Sequence, residues 1–73
     1  VLDVVTIREI EKIFALTDRL GIHREKLVIP LGARHPGRAR RLPSGKIEIV
    51  VESQDDFDAW LGALEPELVR LAT

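Results

Sequence analysis

Cysteine, methionine, asparagine and tyrosine are all absent from this sequence, and its aromatic residues are limited to Phe14, Phe57 and Trp60. Without cysteine no disulfide can brace the fold, and His23 and His35, the only histidines, are too widely spaced to suggest a ready zinc site. The apolar runs are only a few residues long, far short of the roughly 20 needed to span a bilayer, and there is no basic-then-apolar leader. A soluble, cytoplasmic protein without membrane contact is expected. HExxH, P-loop and GxSxG patterns are also missing, and Ser44 and Ser53 are placed for turn and cap duties. The expectation is therefore a non-enzyme with no catalytic residue, no cofactor and no bound metal.

The chain has 73 residues, enough for one domain that buries about 60–65% of the surface its unfolded form exposes. Such a domain is marginally stable without disulfides, metal or a partner, so self-association is expected. Abundant Arg, Glu and Leu beside a single glutamine form a bias associated with hot environments.

Thr6 and Glu9 form a capping box, with Val5 and Ile10 as its hydrophobic staple. Ile7, Ile10, Ile13, Phe14 and Leu20 recur at helical spacing, and Gly21 followed by Ile22 supplies a left-handed stop, predicting a helix over 7–20. From Lys26 the period becomes two: Leu27, Ile29 and Leu31 share one face, while Pro30 marks an edge strand. A second strand is predicted over 46–52, with Ile47, Ile49 and Val51 inward and Val28 and Val50 left exposed on the opposite sheet face. Ser53 is expected to cap a last helix carrying Phe57, Trp60, Leu61, Leu64, Leu68 and Leu71 inward, with a kink or restart near Glu65 imposed by Pro66.

Residues 38–42 form a further candidate strand, but neither alternating set makes a good core: Ala39 and Arg41, or Arg38, Arg40 and Leu42. An arm over 34–46 that pairs with the last strand and projects past the sheet is expected instead. The resulting fold class is α+β: helix, two- or three-stranded antiparallel sheet, helix, with both helices on one sheet face. This order resembles the topology of double-stranded-RNA-binding domains, although the lysine-rich start of that family's last helix is replaced by Ser53-Gln54-Asp55-Asp56, which repels phosphate.

Charge is sorted by segment. Residues 34–46 hold five cations and no carboxylate, whereas residues 48–73 hold seven carboxylates and one cation, Arg70. Arg34, His35, Arg38, Arg40, Arg41 and Lys46 are therefore the candidate contact residues. Two partners suit them: an acidic protein surface, including that of a second copy in a homo-oligomer, or the phosphates of a nucleic acid. The aromatics all fall on helix stripes, which disfavours base-stacking modes. Glu52, Asp55, Asp56 and Asp58 suggest a hard-cation site, but no glycine-interrupted calcium loop surrounds them and helix capping accounts for them.

Overall fold

The computed structural model describes residues 3–72. Helix α1 spans Ile7–Arg19 and strand β1 Leu27–Val28; β2 spans Ala39–Arg41, β3 Ile47–Ile49, and helix α2 Phe57–Ala72. A single 3-10 turn, Arg24–Lys26, leads into β1.

Local chemistry sets both ends of α1. The Glu9 carboxylate accepts the Thr6 amide at 2.8 Å and also the Thr6 hydroxyl, closing the capping box. At the far end Gly21 N–H donates to Asp18 C=O at 3.1 Å and Ile22 N–H to Thr17 C=O at 2.9 Å, the paired bonds of a Schellman stop. Gly21 adopts φ +78°, and the buried Ile22 closes the motif against the core. Ile7, although in phase with the stripe, lies in the first turn and is 73% exposed.

The sheet order is β1-β3-β2. β2 and β3 form the expected hairpin, Ala39 opposite Ile49 and Arg41 opposite Ile47, closed by a turn in which Gly45 N–H donates to Leu42 C=O at 2.9 Å. β1, however, pairs with β3 in parallel, Leu27 beside Ile47 and Val28 beside Glu48, so the sheet is mixed and not antiparallel. The geometric cause is the connection: the chain leaves one edge, crosses β3, returns as β2 on the other edge and then inserts β3 between them. This departs from the antiparallel arrangement behind the likeness to double-stranded-RNA-binding domains. The middle strand exists and does not project. Ala39 is buried, and Arg41, on the same face, lies where α2 ends and donates to the Leu71 carbonyl.

Both helices cover one sheet face. Ile13 and Leu16 from α1, Leu64 and Leu68 from α2, and Ile47, Ile49 and Val51 enclose the core. Lys12 reaches Asp58 at 2.8 Å and Arg19 reaches Glu65 at 2.9 Å. Each step along α1 is matched by the same step along α2, so the helices run in the same direction. These pairs are exposed and contribute about 0.2–1 kcal/mol each, whereas each buried aliphatic contributes about 1.5–3 kcal/mol. The core therefore holds the helices and the ion pairs set their register. Val28 and Val50 are half-buried on the far face instead of exposed, and Leu31, expected inward, is 58% exposed.

Two expectations for α2 are corrected. Its cap is Asp56, whose Oδ1 accepts the Ala59 amide at 3.1 Å, and not Ser53, whose own amide is drawn to the Arg34 carbonyl at 2.8 Å. Pro66 sits within one continuous helix, so the restart near Glu65 does not occur. Losing one backbone bond and accommodating the ring costs about 3 kcal/mol. Leu64 and Leu68, buried on either side of it, offset that cost.

Residues 34–38 cross the chain just beyond β3, at Glu52. A Cβ at Gly37 would fall within 3.0 Å of the Glu52 backbone nitrogen and Cα, so only glycine permits this approach. Gly37→Ala is expected to destabilise the protein by about 1–3 kcal/mol in urea denaturation. Gly62→Ala, in open space within α2, is expected to stabilise it by about 0.5–1 kcal/mol.

Two carboxylates titrate below their ordinary range. Glu9 is held down by the Thr6 hydroxyl and then the Thr6 amide, and Asp18 by its hydrogen bond from Arg24. Because folding depresses both, their contribution is present above the unfolded values near 4 and is lost as pH falls through the lower folded ones. Glu9→Gln/Asp18→Asn should therefore differ most from the wild type at neutral pH, with the gap closing below about pH 4 in pH-dependent denaturation.

Candidate interaction surface

Crossing β3 requires the segment 34–38 to be anchored on both sides. Arg34 N–H donates to Val51 C=O at 2.9 Å, and Arg34 C=O accepts Ser53 N–H at 2.8 Å, placing Arg34 beside Glu52 in a parallel bridge. On the other side Arg38 C=O accepts Val50 N–H at 2.9 Å. The chain between them is a strap whose His35–Pro36 peptide is cis. The Glu52 side chain lies beneath it, with Oε1 3.4 Å from Gly37 N and 3.7 Å from His35 Nδ1.

This arrangement divides the six candidate residues. Arg34, His35 and Arg38 are brought together on the strap, all exposed, and neither arginine has an ion pair among the described residues. Arg40 is neutralised within the sheet: its Nε lies 2.8 Å from Glu48 Oε1, directly across the β2–β3 ladder. Arg41 is spent on the last turn of α2, where a cation also suits the helix dipole. Lys46 remains exposed but sits past the hairpin turn, about 13 Å along the sheet from Arg38 at strand rise.

The surroundings of the strap include residues that the sequence pattern did not single out. Segment 3–5 pairs antiparallel with 31–33: Val5 N–H donates to Leu31 C=O at 2.7 Å and Ala33 N–H to Asp3 C=O at 2.9 Å, around a Val4–Gly32 bridge. Val4 is 61% and Leu31 58% exposed; Val4 stands across from Gly32 and Leu31 across from Val5, so the two apolar side chains lie on opposite faces of this ribbon. The only available signal was the β-branched pair Val4-Val5 preceding the cap, too short to identify a strand. On the other flank the Ser53–Arg34 bond starts an acidic turn in which Asp55 and Asp56 are exposed. The strap end thus combines apolar, cationic and anionic groups within a few residues of one another.

No three metal-ligating side chains converge among the described residues, and none of their helices is long and apolar enough to cross a membrane. Compared with protein-family models, curated proteins and solved structures, the chain matches none.

Proposed function

We propose that this is a small, non-enzymatic, self-associating interaction module of the cytoplasm, and that its contact surface is the strap end. The observation supporting this reading is that Arg34 and Arg38 are exposed with no ion pair among the described residues, although Lys12, Arg19, Arg24 and Arg40 are matched to carboxylates of their own chain, and that Val4 and Leu31 stand exposed on the two faces of the ribbon leading into the strap. Apolar side chains supply association energy, and flanking charges supply orientation and selectivity. A hollow of about 360 Å³ between the helices is lined by ion-paired Lys12, Asp58, Arg19 and Glu65 and opposes no nucleophile to a base.

The contact is one between closed surfaces. The chain exposes 4701 Å², close to the about 4,500 Å² expected of a compact 8.2 kDa monomer, so no swapped element is needed to complete the fold. The runner-up partner is the phosphate backbone of a nucleic acid, for which Arg34, Arg38 and Lys46 are the available cations.

Sedimentation equilibrium across a wide concentration range is expected to show reversible association that weakens with added salt. A monomer at the highest concentration would remove the proposal. A labelled duplex is expected to migrate unshifted with excess protein at low salt. Retardation that fades as salt rises would transfer the surface to the nucleic-acid reading.

A further inference from the structure

At the end of the sheet opposite the strap, we infer a site for a phosphate dianion, held by His23, Lys26 and Arg41. It is independent of the self-association reading and stands whether or not the strap makes a contact. The strap crosses just beyond β3 at Glu52, whereas β3 begins at Ile47, and there a hollow of about 130 Å³ opens between the sheet and the last turn of α2. Its floor is apolar, with Ile22 and Ile47 buried and Leu71 half-buried. His23, Lys26 and Arg41 stand around it, and among the described residues no carboxylate lines it.

Register brings these three residues together. Leu27, Ile47 and Arg41 occupy one row across the sheet, so Lys26, immediately before Leu27, and Arg41 rise from the two edges with Ile47 between them. At strand spacing those edges are about 10 Å apart, a gap that a lysine and an arginine close from both sides around one bound group. His23 follows the Gly21–Ile22 stop, which turns the chain back over the same floor. Elsewhere the fold matches Lys12, Arg19, Arg24 and Arg40 to carboxylates of its own. Here Lys26 and His23 make no ion pair among the described residues, and Arg41 donates through Nη2 to the Leu71 carbonyl. That bond fixes the guanidinium at the rim and leaves Nε and Nη1 as donors, while His23 adds an N–H in either protonation state.

Two fixed positive charges with several donors over an apolar floor suit a dianion rich in acceptor oxygens. The volume sets its class: about four waters' worth of space takes a tetrahedral phosphate group and falls well below the roughly 300 Å³ at which pockets for larger organic ligands begin. The ligand is therefore inorganic phosphate, or a phosphomonoester whose remainder stays outside.

Titration of the isotope-labelled chain with inorganic phosphate, against sodium chloride at equal ionic strength, is expected to move the amide resonances of Gly21, His23 and Gly45 along one saturating curve and to leave that of Gly37, on the strap, in place. Lys26→Gln, which removes a donor that no described residue uses, is expected to raise the dissociation constant by about tenfold or more. Lys26→Arg should retain affinity, and Arg38→Gln, on the strap, should not change it. Glycerol phosphate, titrated in parallel, separates the two sources: tighter binding than inorganic phosphate assigns the site to a monoester, and equal or weaker binding to the free ion. Shifts that fail to saturate, that chloride reproduces, or that keep wild-type affinity in Lys26→Gln would overturn the site. If Lys26 serves only to neutralise the carbonyls at the helix ends, Lys26→Gln lowers the melting temperature without phosphate and leaves the phosphate response intact, which also overturns it.

Discussion

The fold depends on one close backbone approach, the passage of Gly37 over Glu52. With β3 in the middle of the sheet, its two neighbours lie on opposite edges, and the chain joining them must cross the strand somewhere. It crosses where β3 ends, and it can do so at contact distance because Gly37 has no Cβ to meet the Glu52 backbone. Three backbone bonds, from Arg34 to Val51, from Ser53 to Arg34 and from Val50 to Arg38, fix the strap on both flanks. These bonds satisfy polar groups that the crossing would otherwise leave without partners. The parallel β1–β3 pairing, the position of the arginines and the start of the acidic turn all follow from this crossing.

Folding changes the meaning of the charge pattern. Along the chain, cations and carboxylates are separated into blocks; in space, Lys12, Arg19, Arg24 and Arg40 each meet a carboxylate of another element. The hairpin sets Arg40 opposite Glu48, a cross-strand pair worth about 0.2–1 kcal/mol, and the two parallel helices set Lys12 on Asp58 and Arg19 on Glu65. A basic segment therefore does not amount to a basic surface. Of the block that stands out in the sequence, Arg40 and Arg41 serve the fold itself, whereas Arg34 and Arg38 stay exposed on the strap.

How much was legible follows the range of each interaction. The Thr6–Glu9 box and the Gly21–Ile22 stop involve groups within five residues, so their chemistry could be read directly and the limits of α1 followed. The inward set Ile47, Ile49 and Val51 was legible because a period of two needs no knowledge of the neighbour. The choice of Asp56 over Ser53 as the α2 cap was not legible. Both residues suit the role, and the decision came from Arg34, whose carbonyl attracts the Ser53 amide. The direction of β1 against β3 was hidden for the same reason, since it depends on which side of the strand the connection crosses. Arg41 looked unfit for an inward position because the sequence did not show that the inner face ends at the last turn of α2. Of the candidate contact residues, the pattern could not separate Arg40 and Arg41, which the fold engages, from Arg34, His35, Arg38 and Lys46, which stay exposed.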